Sequence, residues 1–374
     1  MQLSSDDLPM FFDDVHRALA ARLRSVQVVI EDLEATGARD GAIVDALAKA
    51  NLFELVAPAE GKVDARAICL AREMLGYVSP RADSIFAVQG LGVQPLLIAG
   101  SPEQKLHVQA FARGAGIAAF ALTEPEAGSD IASLQTRAAP CADGYRLDGD
   151  KIFISNLGIA DHATVFASTE PSLGGAGLTA FWVPLDRPGV TIKPQTATAP
   201  HPIGALELRG VVVPASARIG EVGQGMKLAL GTLDTFRVSV GAAAVGMARR
   251  AFDEARTFVK KRIQFGKLLA EQPLVQAHLA DMAVDLDAAR LLVFRAAHCK
   301  DTRSGRVTTE VSIAKLGATE AASRVIDRAV QLLGGRGVMA GAVVEHLYRA
   351  IRPLRIYEGT SEIQRTIIGR EIAK

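Results

Sequence analysis

Cysteine is scarce in this chain: Cys69, Cys141 and Cys299 are the only three in 374 residues. An odd count with no shared metal-ligand spacing argues against a disulfide framework and suits a reducing cytosol. Net charge is nearly absent as well, with 42 basic residues against 41 acidic ones. No global field is therefore available to hold nucleic acid or an anionic membrane. No apolar run approaches the roughly 18 residues of a membrane-spanning helix. The opening Met1-Gln2-Leu3-Ser4-Ser5-Asp6-Asp7 is acidic, and no apolar export stretch follows it. A soluble, cytoplasmic protein is expected. Several chemical signatures are missing too, namely HExxH, CxxC, GxSxG and the P-loop. The histidines (His16, His107, His162, His201, His278, His298 and His346) are scattered, which suggests neither a metal site nor a catalytic triad.

Hydrophobic residues, by contrast, make up 49% of the chain. Its length suits two or three packed domains rather than one simple core. Up to about residue 117 it reads as helices. Arg17–Val29, Gly41–Leu55 and Val63–Tyr77 carry apolar residues at three- and four-residue spacing. Ser101-Pro102-Glu103-Gln104 gives another helix start, with serine as cap and proline in the first position. From 118 to 222 short β-type runs alternate with turns. Tyr145–Ile154 reads as two short strands around Asp148-Gly149. From Gly223 long helices return, with Met226, Leu230, Leu233, Arg237, Val240, Ala244, Met247 and Ala251 forming one seam. A second seam of Val275, Leu279, Met282, Leu286, Ala289 and Val293, a third helix over Thr308–Leu333 and a fourth from Ser361 complete a bundle. The expected class is α+β: an N-terminal helical domain (1–117), a middle antiparallel β domain (118–222) and a C-terminal four-helix bundle (223–374).

Arg237 is out of place in an apolar seam. A buried cation needs a partner, so it either reaches an anionic ligand or pairs with an acid such as Asp234. Near the end of the chain, Glu358 and Gly359 precede Ser361 and Gln364, which have the spacing of a capping box. Glu358 then sits in a loop just before a helix N-terminus, either as a solvated residue or as a working carboxylate. Thr123 and Glu126 also fit a capping box, while Ser129-Asp130 caps a turn or lines a polar ligand. Arg262-Ile263-Gln264-Phe265-Gly266 closes a long helix, where cations complement the dipole or clamp a phosphate. Gln331–Gly337 is a helix end with a glycine stop. Its loose Gly-x-Gly pattern is no dinucleotide fingerprint, because it ends a helix rather than opening one.

With these segments in hand, the chain resembles the acyl-CoA dehydrogenase family of flavoproteins over nearly its whole length. Five motifs appear in the family's order: Leu122–Asp130, Lys151–Asn156, Arg262–Gly266, Gln331–Gly337 and Tyr357–Gln364. The resemblance implies FAD as cofactor, an acyl-CoA substrate, an electron-transfer flavoprotein or similar acceptor, and a homo-oligomer, dimer or tetramer. It makes Glu358 the catalytic base. It places Phe120, Leu122, Thr123 and Ser129 beside the flavin and the thioester arm, and Phe153 and Ser155 against the flavin ring. Arg262, Gln264 and Phe265 match contacts to the FAD of a neighbouring subunit, Gln331 and Gly335 contacts to its pyrophosphate and adenosine end, and Thr360 and Glu362 contacts beside the base. Ser129, Asp234, Arg237 and Gly359 match substrate-binding positions. No metal is implied.

Some members of the family carry the base at the position of Phe236, which cannot take a proton. Three stretches depart from the family pattern: the short Ala57–Lys62 link, Pro273 at a helix start, and Ala199-Pro200-His201-Pro202-Ile203-Gly204. The reaction implied is removal of an α-proton from an acyl thioester while the β-hydrogen leaves as hydride to the flavin. The alternatives are a flavoenzyme of the same fold acting on an acyl-carrier-protein thioester or as an oxidase, and a non-catalytic flavin-binding relative.

Overall fold

In the computed structural model of this chain the described residues are 6–58 and 62–374. Met1 to Ser5, and Ala59 to Gly61 of the short link, lie outside them. The helices are α1 (Asp14–Ala35), α2 (Asp40–Lys49), α3 (Phe53–Val56), α4 (Ala65–Val78), α5 (Pro80–Ala99), α6 (Pro102–Ala112), α7 (Gly225–Val259), α8 (Pro273–Thr302), α9 (Thr308–Leu333), α10 (Val343–Ile351) and α11 (Ser361–Ile372). Helix, then sheet, then helix is the α+β order expected. Ser101 caps α6 as predicted, its hydroxyl accepting from Gln104 N while the Gln104 side chain answers the serine N–H. Two helices, α5 and α7, have the length and composition of a membrane span. In each, 72% of the apolar window is buried, as in the core helix of a globular protein.

The chain divides into two compact units, with divisions between α1 and α2, just before α4, and inside α5 and α7. One comprises Gly37–Val63 and Ser84–Phe236. Its strands are β1 (Ala118–Ala121), β2 (Arg137–Cys141), β3 (Gly144–Ser155), β4 (His162–Ser168), β5 (Leu178–Pro184), β6 (Val190–Pro194), β7 (Ile203–Val213) and β8 (Arg218–Ile219). They form one sheet in the order β6-β7-β3-β2-β4-β5-β8, with β1 also on β4. Both faces are covered, so β5 is apolar at nearly every position. Ala180 and Trp182 enter one core, with Leu96 and Phe111, while Phe181 and Val183 enter the other, with Leu206 and Val211.

Two expectations are corrected here. The sheet is not wholly antiparallel, since β4 pairs in parallel with β1 and β2. Asp148-Gly149 is no turn either. It lies inside the single strand β3 at a register shift against β7, pinned where Asp148 Oδ1 accepts the Gly210 N–H at 2.7 Å.

The other unit comprises the described part of Met1–Thr36, with Asp64–Asp83 and Arg237–Lys374. Here α4 lies against the second half of α7 without room for side chains. A Cβ on Gly76 would stand 2.4 Å from Ala243 O, and one on Gly246 would stand 2.1 Å from Glu73 O. The Glu73 carboxylate is buried between the Arg249 and Arg290 guanidiniums, and Asp7 reaches Arg290 at 2.6 Å. After α7 a two-stranded hairpin, β9 (Ile263–Gln264) with β10 (Lys267–Leu268), leads to α8.

Candidate active site

Glu358 lies between two short-range constraints. Upstream, Ile356 and Tyr357 close a turn on Pro353 O. Downstream, the hydroxyl of Thr360 accepts the Ile363 N–H and starts α11. The cap is thus Thr360, one residue earlier than the expected Ser361. Ser361 instead donates to Glu320 Oε1 at 2.7 Å. Gln364 does not answer the cap. Its amide donates to the carbonyls of Glu358 (3.3 Å) and Gly359 (3.0 Å). Glu358 takes φ +52° and Gly359 φ +88°, a left-handed pair that costs a glutamate free energy unless neighbours hold it.

The neighbours are cationic. Arg237, 5% exposed, donates from Nε to Glu358 O at 3.2 Å. Lys315, fully buried on α9, donates to Gly359 O at 2.8 Å. Arg72 on α4 makes a buried two-pronged pair with Asp83, 2.8 Å on each arm, and reaches Ser239 Oγ at 3.0 Å. Carbonyl oxygens thus take the Arg237 Nε and Lys315 donors, while the carboxylate keeps Oε2 buried with no hydrogen-bond partner among the described residues. Burial pushes the Glu358 pKa above the ordinary carboxylate value, against the pull of Arg72, Arg237 and Lys315. Burial also lowers Lys315 to about 8, with Glu358 pulling it back up. Tyr357 keeps 38% of its area exposed, yet its phenol is raised by burial despite the Arg72 guanidinium beside it.

The same unit holds a second cluster. α7 ends at Val259, and Arg262, whose N–H still returns to Phe258 O at 3.0 Å, stands at the foot of the β9–β10 hairpin. The hairpin turn is Phe265-Gly266, both with positive φ, and it leaves Phe265 97% exposed. Gln264 sits beside it, exposed. α9 stops as expected at Gly334 (φ +58°), whose N–H returns to Gln331 O. Arg262, Gly334, Gly335 and Arg336 line one cleft of about 540 Å³, and Arg336 lies over the Phe258 ring at 5.7 Å. Nothing stands within 4 Å of where a Cβ would be on Gly334 or Gly335. Two guanidiniums beside bare glycine backbone form a donor set for a diphosphate. Glu362 is exposed in the first turn of α11, and Gln331 is exposed just before the cleft.

The other unit holds a third cluster. Thr123 and Glu126 start no helix. The segment turns instead through a Glu124–Ala127 bridge and is fastened to β3, where Ile152 N donates to Thr123 O and Lys151 Nζ to Leu122 O. Lys151 is fully buried and pairs with Glu124 at 2.8 Å, and Glu124 also accepts the Gln135 and Thr136 N–H groups. Next on β3, Phe153 takes φ +57° and stays 62% exposed, its N–H held by Gln195 Oε1 at 3.0 Å. Ser155 Oγ lies 3.1 Å from His201 Nε2. Leu122, Thr123, Phe153 and Ser155 therefore form one ledge. Phe120 is half-buried on β1 and Ser129 is exposed on the loop. Asp234 is half-buried on α7, while Phe236 is fully buried against Gly90.

Sequence reasoning missed Lys315, Arg72 and Lys151. For Lys315 a signal existed. It stands among Val311, Ala314 and Ala318 in an apolar helix face, the same anomaly that singled out Arg237. Separately, His16, Asp64 and Asp301 bring ligand atoms within 4.8 Å of one another. His16 Nδ1 accepts the Asp13 N–H, so Nε2 carries the proton and donates to Asp64 at 3.0 Å. That histidine is a helix-capping residue.

Residues 223–373 match the model of the acyl-CoA dehydrogenase C-terminal domain, and residues 119–211 that of the middle domain. The chain is 35% identical over 360 residues to the caffeyl-CoA reductase-Etf complex subunit CarC of Acetobacterium woodii, covering 92% of this chain and 93% of that one. It is 37% identical to the human mitochondrial short-chain specific acyl-CoA dehydrogenase, over 83% of this chain and 77% of that one. The butyryl-CoA dehydrogenase structure from Megasphaera elsdenii superposes with a TM-score of 0.90 at 32% identity, covering 97% and 99% of the two chains. The chain belongs to the acyl-CoA dehydrogenase family of oxidoreductases.

Proposed function

We propose that this enzyme is a FAD-dependent α,β-dehydrogenase of an acyl-CoA thioester, with Glu358 removing the α-proton. The observation that carries the reading is Glu358 Oε2, buried without a partner on a carboxylate whose backbone is held from three sides. Desolvation raises its basicity toward a weakly acidic C–H, while the nearby cations pull its pKa the other way. Phe236, at the alternative position, offers no base. FAD, when bound, supplies the acceptor for the β-hydride. For the ring this chain offers the Leu122-Thr123-Phe153-Ser155 ledge, and for the pyrophosphate Arg262, Gly335 and Arg336. Arg262 and Phe265 serving a second copy's FAD would make the enzyme a homo-oligomer. An electron-transfer flavoprotein as acceptor is supported by the relative named for an Etf complex. That relative's name is a reductase's, and a protonated Glu358 could return the proton in the reverse direction.

The test is anaerobic mixing of the yellow holoprotein with acyl-CoA thioesters of graded length. At least one should bleach the flavin. A protein that takes up no FAD, or a flavin that no acyl-CoA reduces, overturns the reading.

A further inference from the structure

The loop between β6 and β7 carries His201, which touches the ledge at Ser155. His201 Nδ1 lies 3.1 Å from Ala199 O. A carbonyl only accepts, so Nδ1 must carry a proton. Burial holds the imidazole below its ordinary pKa, so the ring is neutral near pH 7 and Nε2 bears a lone pair. Ser155 Oγ, 3.1 Å from that nitrogen, then has to donate. The proton is committed by a chain of single choices: carbonyl, imidazole, hydroxyl. What Ser155 can still offer any other neighbour is oxygen lone pairs.

The loop is not free to drift. Asn156 N donates to Pro202 O at 2.8 Å, and Gln195 N to Ile203 O at 3.0 Å. Asn156 itself sits at φ +68°, with its amide donating to the carbonyls of Ile85 and Ala118.

We propose that His201 is a positioning residue that turns the Ser155 hydroxyl into a hydrogen-bond acceptor toward the flavin and so favours the reduced cofactor. The inference rests on the reading that FAD lies against Phe153 and Ser155. An oxidised flavin ring presents bare nitrogens that want a donor, and two-electron reduction adds an N–H that wants an acceptor. A serine locked as acceptor suits the second state. Removing the imidazole frees the serine proton to serve the first.

The test is the midpoint potential of bound FAD, measured by dye equilibration at neutral pH for wild type, His201→Phe, Ser155→Ala and the double variant. Phenylalanine keeps the ring volume and removes both nitrogens. A neutral hydrogen bond is worth about 1 kcal/mol. His201→Phe should therefore change the oxidised-to-reduced ratio about fivefold toward the oxidised form, roughly a 20 mV fall for a two-electron couple. In the Ser155→Ala background the same substitution should change nothing, a non-additivity that a merely structural histidine would not show. An unchanged or raised potential, or an equal fall in both backgrounds, overturns the proposal. Should His201→Phe lose its flavin, imidazole ¹⁵N NMR of the wild-type holoprotein decides: the Nδ1–H tautomer supports the assignment and the Nε2–H tautomer overturns it. A wild-type protein that takes up no FAD overturns the proposed function itself. An FAD-loaded protein without the shift overturns only the role of His201.

Discussion

At Glu358 the backbone and the side chain are under separate control. Arg237 Nε, Lys315 and Gln364 donate to the carbonyls of Glu358 and Gly359, which holds a left-handed loop, while Glu358 Oε2 has no hydrogen-bond partner among the described residues. Glu358→Gln keeps size and shape, so folding and FAD content should survive it. Flavin reduction by a good substrate should slow by at least about 10²-fold, the usual worth of a general base. Near-normal reduction in stopped flow would place the base elsewhere. Lys315→Met tests the cations. Its ammonium lowers the Glu358 pKa, so losing it should raise that pKa further and move the rising limb of kcat/KM to higher pH. A limb that stays put would show that the charge is not felt. Stability should respond as well. The folded-state pKa of Lys315, about 8, lies below the ordinary lysine value, so the unfolded chain binds more protons between the two. The cost of burying the ammonium is full below about pH 8 and is relieved as pH rises toward 10.5. Denaturant titrations should thus show wild type gaining on Lys315→Met across that window, by at most about 1.4 kcal/mol per pH unit.

Among the elements, α4 and the second half of α7 matter because α4 carries Arg72 and Glu73 into the same unit as Glu358. The approach depends on Gly76 and Gly246, each facing a carbonyl oxygen that a Cβ would strike. In Gly246→Ala the obstacle is backbone, so the helices have to part rather than a side chain swing aside. Destabilisation of about 1–3 kcal/mol is expected by denaturant titration. Moving α4 also moves Arg72 from Ser239, so the variant should lose activity as well as stability. An alanine that leaves both unchanged would show that the contact has slack. The helix caps teach the opposite lesson. Serine, threonine and glutamine near Thr360 satisfy a cap pattern in two registers, and only the distant Glu320 and the carbonyls of Glu358 and Gly359 decide between them.

For the molecule as a whole, the exposed hairpin tip Phe265 and the cleft beside Arg262 suggest a surface completed by a second copy. Arg262→Ala removes one of two guanidiniums from the cleft, and neither alanine nor water replaces a bidentate clamp. FAD content should fall, and the oligomer on sizing should shift toward smaller species. Full flavin occupancy with the wild-type elution would show that the cleft does not hold the pyrophosphate.

Read alone, the sequence determined the order of helix, sheet and helix, and it singled out Glu358 and the motifs on which the family resemblance rests. Those features are written locally, in hydrophobic period, in glycine and proline, and in runs such as Tyr357–Gln364 that lie within one loop and one turn of helix. The expected bundle helix Thr308–Leu333 is the helix observed, because its hydrophobic period and glycine stop are contiguous. Tertiary structure alone decided which cations surround Glu358. Arg72 and Lys315 lie 286 and 43 positions from Glu358 in the numbering, too far for any local pattern to connect them. It also decided that Asp148-Gly149 runs on as strand, because β7 supplies the partner that a turn would have lacked. His201 between two prolines reads as an ordinary loop residue; only the fold sets its imidazole against Ser155, 46 residues away. Local periodicity records what a segment buries, and only packing settles which buried polar groups share a proton.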